Sequence, residues 1–312
     1  MSQPSPPAER ASAPIDLRRV RTLFSRPAAV AESGFLRREV AGRMFERLEL
    51  IKLAPALVVD AGCGEGADLP VLRQRFGDAR LLGVDASDAM LLAAHASQHA
   101  AQSSVNRLLQ RWLPRRAATS GIAAELACAD FAQLPLAGQS ADLIWSNLAL
   151  HWHPQPHRVF AEWHRVLRID GLLMFSCFGP DTFRELRTAW QQADATPHAL
   201  PFVDMHDFGD MLVDAGFATP VMDMETITVT YADPLKLLED VKAWGGNPLA
   251  TRRRALLGRD AYRRMLDALE SGRRADGTLP LTFEVVYGHA FRPAPRKTAS
   301  GESIIHFDRP KR

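Results

Sequence analysis

The chain has 312 residues, of which 46% are hydrophobic, enough to bury a large core without disulfides or structural metals. Its 38 Lys and Arg residues nearly balance its 36 Asp and Glu residues, so composition does not predict a nucleic-acid-binding protein. The 3 cysteines lie far apart, which argues against a disulfide framework or a cysteine-rich zinc site and favours a reducing cytoplasm. No apolar run approaches the roughly 18 residues that a membrane span requires.

An N-terminal segment, "VAESGFLRREVAGRMFERLELI", has the periodicity of an amphipathic helix. Hydrophobic residues recur at helical intervals, with charged residues between them, at Phe35, Val40, Met44, Phe45 and Leu48. We therefore expect one helix to precede the core of the domain.

Apolar strands and amphipathic helices then alternate along the chain. The runs "ALVVDAGCGEG", "DLPVLRQRF" and "ARLLGVDAS" read as strand, helix and strand, and the alternation continues through "DAMLLAAHASQ", "AELACAD", "ADLIWSN", "PHRVFAEWHRVLR" and "LLMFSCF". This order predicts an α/β fold with a doubly wound, mostly parallel sheet covered by helices on both faces. Two later strands, "TITVTY" and "LTFEVVYGHAF", are predicted to pair at the sheet edge and bring the total to seven.

The domain is predicted to occupy residues 15–292, between a polar, proline-rich tail at 1–14 and a flexible tail at 293–312. Two segments interrupt the alternation of strands and helices. Residues 101–120 are basic and longer than a simple loop, which indicates an insertion. Residues 234–275 form a helical block between the last two strands, which is typical of a lid over a site.

A glycine-rich loop follows the first strand and opens a helix. Gly62, Gly64 and Gly66 would let the backbone approach a ligand and direct helix N–H groups towards it, so an adenosine-type ligand is expected. The spacing of Gly62, Gly64 and Ala67 also satisfies the dinucleotide-binding pattern. The loop alone therefore leaves two ligand classes open.

Acidic residues at the ends of successive strands distinguish these classes. Asp60 directly precedes the loop, where a carboxylate suits a cationic amine better than a pyrophosphate and so favours S-adenosyl-L-methionine. Asp85 ends the second strand and is positioned to accept hydrogen bonds from ribose hydroxyls. Asp130 and Phe131 follow the third strand and are predicted to hold the adenine amino group and ring face. Simple capping of helices and loops is the alternative role for these acids.

These motifs resemble those of class I S-adenosylmethionine-dependent methyltransferases, which have a Rossmann-like sheet. The similarity covers roughly residues 35 to 180 through "VVDAGCGEG", "LLGVDAS", "ACADFAQLPL" and "ADLIWSNLALHW". The resemblance implies a cofactor site formed by Asp60, Gly62, Gly64, Gly66, Asp85, Ala86, Asp130, Phe131, Asn147 and Leu148.

Within this class, the segments "FGPDTFRELRTAW" and "RADGTLPLTFEVVYGHAF" resemble the malonyl-[acyl-carrier-protein] O-methyltransferases of biotin synthesis. That resemblance implies methylation of the free carboxylate of a malonyl group on an acyl carrier protein. The segment "SRPAAVAESGFL" lacks the tyrosine that this branch usually places there. A related mitochondrial complex I assembly factor shares a similar "FGPDTFRELR", so the alternatives are an assembly factor, a protein-modifying enzyme or another small-molecule methyltransferase.

Arginines are the expected guides for a malonyl carboxylate, because their planar fork binds two oxygens at once. Arg184 and Arg187 lie just beyond the fifth strand and are the main candidates, and Arg37 and Arg38 are the others. The alternative is an ordinary exposed helix that carries arginines at helical spacing. A carboxylate acceptor is already ionised at neutral pH, so no catalytic base is expected. Clusters at Arg115 and Arg116, or at residues 252–254, are candidates for steering an acidic carrier protein.

The stretch "NLALHWHPQPHRVF" concentrates histidines at the end of the fourth strand. A metal site is not expected, because His151 and His153 are close to a turn and no converging further ligands are evident. The family resemblance instead implies that this stretch forms a cofactor-pocket wall, with Trp152 among its lining residues. His151 either orients the substrate or bonds to the backbone. His153, His157 and His164 are expected to be solvated helix residues.

Overall fold

A computed structural model describes residues 13–32, 34–101, 123–255 and 257–295. The predicted insertion, apart from its first residue, and most of both predicted tails lie outside these ranges. None of the described helices is both long and apolar enough to cross a lipid bilayer.

Seven strands form one mixed sheet in the order β3-β2-β1-β4-β5-β7-β6. The first five strands are parallel, whereas β7 is antiparallel to both of its neighbours. The predicted doubly wound, mostly parallel sheet is therefore confirmed. The strands are β1 (Leu57–Ala61), β2 (Arg80–Asp85), β3 (Glu125–Cys128), β4 (Ala141–Ser146), β5 (Leu167–Phe178), β6 (Ala218–Tyr231) and β7 (Leu279–Phe291).

Strand order reverses between β1 and β4, because the chain moves outward through β2 and β3 and then returns to the other side of β1. Such a switch point leaves a crevice at the carboxyl ends of the strands, where ligands bind in open α/β sheets. The helices that connect and cover the strands are α1 (Leu17–Leu23), α2 (Pro27–Glu32), α3 (Phe35–Glu49), α4 (Leu69–Arg75), α5 (Asp88–Ala101), α6 (Pro156–Val166), α7 (Arg184–Gln191), α8 (Met205–Asp214), α9 (Pro234–Ala243) and α10 (Arg259–Ser271).

The N-terminal region differs from the single predicted helix, because α1 and α2 precede α3 as separate short helices. In α3, the predicted residues Val40, Met44 and Leu48 are buried, and Leu36 continues their spacing of four residues. Phe35 was predicted on this face but is 38% exposed, because its neighbour Leu36 occupies the buried position.

Both faces of the sheet are buried at the central strands β1, β4 and β7, whereas the edge strand β6 alternates between half-buried and exposed residues. On one face, Trp145 is fully buried and stacks on Phe45 of α3 with ring centroids 4.4 Å apart. On the other face, Phe160 of α6 contacts Phe175 of β5 at 5.3 Å between centroids. Because successive side chains of a strand point to opposite faces, the sheet contributes residues to two separate hydrophobic cores, one on each face.

The predicted pairing of the last two strands is confirmed, with β6 at the sheet edge and β7 inserted beside β5. Helix α3 covers part of this edge through charged contacts. Arg47 forms an ion pair with Asp223 at 2.5 Å, and its guanidinium lies 4.1 Å from the centre of the Tyr287 ring. Arg43 makes a further ion pair with Glu225.

The chain between β6 and β7 contains α9 and α10, and it contacts the N-terminal segment. Ile15 forms an antiparallel bridge with Leu249. The Asp16 N–H donates to the Pro248 carbonyl at 3.0 Å, and the Ala250 N–H donates to the Pro14 carbonyl at 2.8 Å. Residues distant in sequence therefore come together beside the carboxyl edge of the sheet.

Replacing Gly288 with alanine should destabilise the fold, because an added Cβ would lie 2.4 Å from the ring of fully buried Phe175. We expect Gly288→Ala to lower the free energy of unfolding by about 1–3 kcal/mol in urea titrations, the usual cost of overpacking a core. The matched control is Gly209→Ala in α8, where the nearest heavy atom, Met222 Cγ, is 3.7 Å away. The control should raise stability by up to about 1 kcal/mol. Equal effects of the two changes would contradict the steric explanation.

Candidate functional site

A cavity opens at the switch point, between the carboxyl ends of the parallel strands and the helices above them. Its lining residues fall into two groups, one polar around the glycine loop and one largely apolar. The polar group comprises Arg37, Asp60, Gly62, Cys63, Gly64, Glu65, Asp68, Asp85 and Asn147. The apolar group, with one histidine, includes Val20, Phe24, Val30, Leu36, Met90, Phe131, Leu148, His151, Trp152, Phe178 and Trp244.

The glycine loop adopts a backbone that requires glycine. Gly62, Gly64 and Gly66 have φ of 85°, 54° and 75°, in the left-handed region where a side chain is unfavourable. A Cβ on Gly62 would lie 2.4 Å from the Cβ of Ala149. A Cβ on Gly64 would meet nothing within 4 Å, which leaves open space above this part of the loop. The loop is thus tightly packed on one side and accessible on the other.

Asp60 is a buried carboxylate without a complete set of partners. It lies near the end of β1, is only 2% exposed, and its Oδ2 atom has no hydrogen-bond partner among the described residues. Burial raises its pKa well above the usual value, and the negative charges of Asp68, Asp85 and Glu65 raise it further. A cationic group placed beside this oxygen would satisfy both its hydrogen-bonding capacity and its charge.

Asp68, beside Asp60, is a second buried carboxylate but a well-bonded one. Its Oδ2 accepts from Trp145 Nε1 at 2.8 Å and from Asn147 Nδ2 at 3.1 Å. Asn147 also donates to the Arg37 carbonyl at 3.0 Å and accepts from Ser176 Oγ at 3.0 Å. The Asn147 side chain therefore ties β4, β5 and α3 together at the cavity wall.

Asp85 organises the glycine loop. Its Oδ2 accepts from the Gly64 N–H at 2.9 Å, and its Oδ1 accepts from the Ser87 N–H at 2.8 Å. Burial raises the pKa of Asp85, while these backbone hydrogen bonds partly oppose that effect. Asp85 and Ala86 both line the cavity, as a cofactor site would require. Sequence reasoning did not anticipate the contact between Asp85 and the loop.

The structure separates Asp130 from Phe131. Phe131 lines the cavity, whereas Asp130 lies in a neighbouring surface cleft with Gln133 and Arg158. The Asp130 Oδ1 accepts from the Ala132 N–H at 2.9 Å, so this carboxylate stabilises its own loop. Of the predicted adenine-binding pair, only the aromatic ring faces the cavity.

His151 lies in the cavity wall, and its protonation state can be assigned from its contacts. The side chain is buried, its Nδ1 accepts from the Phe178 N–H at 3.5 Å, and its Nε2 has no hydrogen-bond partner among the described residues. Burial lowers its pKa to about 3, so the ring is neutral at physiological pH. Because Nδ1 is the acceptor, the proton belongs on Nε2.

The expectation that the later histidines are solvated is wrong for His153. This side chain is buried, its Nδ1 accepts from the Gln155 N–H at 3.1 Å, and its ring lies 5.9 Å from that of Phe131. His157 and His164 are half-buried. Among the described residues, no group of three or more His, Cys, Asp or Glu side chains is arranged to hold a metal ion.

The structure distinguishes among the predicted arginines. Arg184 is exposed and pairs with Glu185 at 3.2 Å, while Arg187 is half-buried and donates to the Pro180 carbonyl. Neither residue lines the cavity. Arg37 does, and its Nη2 donates to Glu65 Oε1 at 2.6 Å and to the Val30 carbonyl at 3.0 Å. Arg37 is the one Lys or Arg among the cavity-lining residues in the described part of the chain.

Several lining residues carried no recognisable local signal in the sequence. Val20 and Phe24 come from α1 and its end, and Trp244 comes from the segment after α9. The Phe24 ring makes an edge contact with Trp152, with centroids 5.3 Å apart. These residues reach the cavity only because two segments far apart in the sequence fold over the same sheet edge.

Comparisons with known proteins agree with this architecture. A family model described as a methyltransferase domain matches residues 59–175. The malonyl-[acyl-carrier protein] O-methyltransferase of Laribacter hongkongensis is 48% identical over 94% of this chain and 96% of its own length. The protein of the same name from Nitrosospira multiformis is 45% identical over 90% of this chain and 91% of its own length.

Solved structures share the fold at low sequence identity. The YcgJ protein of Bacillus subtilis has a TM-score of 0.55 and 15% identity, covering 83% of this chain and all of its own. A putative methyltransferase from Bacillus halodurans has a TM-score of 0.53 and 14% identity, covering 81% of this chain and 99% of its own. These similarities support the α/β fold alone.

Asp60→Asn should stabilise the ligand-free protein but weaken binding of S-adenosylmethionine. The fold raises the pKa of Asp60, so the protonated acid is favoured in the folded state. The stability that this acid contributes is therefore complete below the unfolded pKa near 4, and it is lost as the pH rises through the folded pKa. Urea titrations should show a gain of roughly 1–3 kcal/mol at pH 8 and little gain at pH 4. Calorimetry should show at least about tenfold weaker binding. The exposed control, Asp78→Asn, should change neither quantity, and unchanged ligand binding by Asp60→Asn would contradict the charge assignment.

Proposed function

Because this chain belongs to the malonyl-[acyl-carrier protein] O-methyltransferase family, we propose that it methylates the free carboxylate of a malonyl group carried by acyl carrier protein. It is an S-adenosylmethionine-dependent methyltransferase with a Rossmann-like fold. The observation that carries the proposal is the 48% identity over 94% of the chain. This similarity extends well beyond the methyltransferase domain, into the N-terminal and lid segments that contribute Phe24 and Trp244 to the cavity. It favours the carboxyl-methylating branch over the alternatives.

The cavity residues fit S-adenosylmethionine, whose methionine part carries both an ammonium and a carboxylate. The orphan Asp60 Oδ2 is suited to the ammonium, since it is buried and lacks a partner among the described residues. The Arg37 guanidinium is suited to the carboxylate, because arginine presents several N–H donors in one plane. The open space over Gly64 allows close approach of a ligand to the loop. Asp85, Ala86 and the Phe131 ring are the proposed contacts for ribose and adenine.

The chemistry requires positioning more than proton transfer. When bound, S-adenosylmethionine supplies a methyl group on a sulfonium that is already a good leaving group. The acceptor carboxylate is ionised at neutral pH, so the chain needs no base to activate it. Apolar walls from Phe24, Trp152 and Phe178 exclude water and strip hydration from the carboxylate, which increases its nucleophilicity. The same walls limit the orientations available to the acceptor.

We assign the binding of an acceptor oxygen to His151 in preference to Arg184 and Arg187. The two arginines lie outside the cavity, whereas His151 lines it and has a buried Nε2–H without a partner among the described residues. A neutral donor can orient an oxygen without the strong charge stabilisation that would lower the nucleophilicity of a carboxylate. The same donor would leave the neutral ester product weakly held.

The reaction can be tested with purified protein, malonyl-[acyl-carrier protein] and methyl-labelled S-adenosylmethionine. We expect base-labile label on the malonyl group, because a methyl ester hydrolyses in alkali. Acetyl-[acyl-carrier protein] is the matched control, since it lacks the free carboxylate and should acquire no label. Absence of transfer by protein that still binds S-adenosylmethionine would refute the substrate assignment. Base-stable label on a protein substrate would favour the protein-modifying alternative.

His151→Phe should lower kcat roughly tenfold to a hundredfold, because it removes one buried hydrogen-bond donor while retaining an aromatic ring beside Phe178. His151→Gln retains a donor and should recover part of the activity. Binding of S-adenosylmethionine should change little in either variant. Since the pKa of His151 is lowered to about 3, the wild-type rate should show no histidine ionisation between about pH 5.5 and 8. An ionisation near pH 6.5 that disappears in His151→Phe would rule out this role.

A further inference from the structure

We propose that the outer face of α1 is the docking surface for the acidic carrier protein, an inference that rests on the proposed function. The basic face, as we call it, comprises Arg18 and Arg21 on α1, Arg26 directly before α2, and Arg254 from the segment between α9 and α10. All four residues are exposed.

Helix α1 has two distinct faces. On its inner face, Val20 and Phe24 line the cavity, with Phe24 in ring contact with Trp152. On its outer face, Arg18 and Arg21 point to solvent. Because a helix is only about 10 Å wide, the basic residues lie within one helix diameter of the cavity wall. A protein bound to this face would therefore be held beside the cavity.

The position of α1 is fixed at both ends. At its start, Asp16 caps the helix by accepting from the N–H groups of Arg18 and Arg19, at 3.1 and 3.2 Å. At its end, the Phe24 carbonyl accepts from Ser87 Oγ at 3.1 Å, which connects α1 to the loop after β2. The arginines are thus displayed on an anchored element of the cavity wall.

A second basic segment is brought to the same surface by tertiary contacts. The bridge between Ile15 and Leu249 places residues 252–254 beside the start of α1. Arg252 pairs with Asp16 at 3.9 Å, and Arg253 pairs with Asp194 at 3.1 Å. Arg254 remains exposed and makes no ion pair within the described residues.

The charge on this face is not neutralised within the described part of the chain. Arg18, Arg21 and Arg26 form no ion pairs there, in contrast to Arg43 and Arg47 of α3, which pair with acids of β6. Unpaired cations around an opening attract a negatively charged partner and accelerate its association. An acidic carrier protein fits best, because its acyl group travels on a flexible arm that must enter the cavity from an adjacent binding surface.

The test compares carrier-bound and carrier-free acceptors in the variant Arg18→Glu combined with Arg21→Glu. We expect KM for malonyl-[acyl-carrier protein] to rise about tenfold, with kcat nearly unchanged, because rim charges act mainly on association. Turnover of malonyl-N-acetylcysteamine, which carries no protein, should stay at the wild-type value and thereby show that the cavity is intact. High salt should raise KM of the wild type more than that of the variant.

The matched control is Lys52→Glu combined with Arg75→Glu, at exposed positions on the opposite edge of the sheet, since Lys52 precedes β1 and α4 runs back from the cavity. This control should leave both acceptors unaffected. Loss of turnover for both acceptors in the α1 variant, or no change for either, would overturn the docking assignment.

Direct binding separates this inference from the proposed function. Fluorescence anisotropy with labelled holo-acyl carrier protein should show about tenfold weaker binding by the α1 variant than by wild type. If wild type binds the carrier but methylates neither acceptor, the docking assignment stands and the proposed reaction fails. Equal binding of carrier by wild type and variant, or tighter binding of a single-stranded RNA of the same charge, would reject the inference.

Discussion

The candidate site depends on one unfavourable interaction, the burial of the Asp60 carboxylate among other negative charges. Neighbouring Asp68 is also buried, but Trp145 and Asn147 satisfy it with hydrogen bonds. Asp60 has an oxygen without a partner among the described residues, and its raised pKa records the cost of placing charge there. In the absence of a ligand, the raised pKa of Asp60 favours the neutral, protonated acid, and a positively charged ligand beside it would favour the ionised carboxylate. Binding of a cationic ligand at this edge of the sheet would therefore be coupled to ionisation of Asp60.

The apolar walls of the cavity come from segments that fold over the carboxyl edge of the sheet. Helix α1 and the segment after α9 lie far apart in the sequence, yet Phe24 and Trp244 both line the same cavity. The bridge between Ile15 and Leu249 connects these two segments directly. Both segments therefore contribute apolar walls to the cavity, in contrast to the polar residues around the glycine loop.

Some site residues were predictable because their roles are local. The glycines follow a strand and open a helix, and Asp60 and Asp85 end strands, so their positions at the carboxyl edge follow from chain order. Asp130 also follows a strand, but its carboxylate accepts a hydrogen bond from the Ala132 N–H of its own loop. Strand position alone does not predict this, because a carboxylate can bond either to the nearby backbone or to a ligand. Arg184 and Arg187 follow the fifth strand, yet α7 directs them away from the cavity.

The sequence by itself determined the alternating strands and helices, the sheet and the identity of the glycine loop, because hydrophobic periodicity and backbone conformation are properties of short segments. Only the tertiary structure decided that Arg37, among four candidates, lines the cavity, that His151 is neutral with a buried Nε2–H that has no partner among the described residues, and that α1 forms a wall. These outcomes depend on burial and on contacts between residues far apart in the chain, and neither is encoded in the spacing of neighbouring residues.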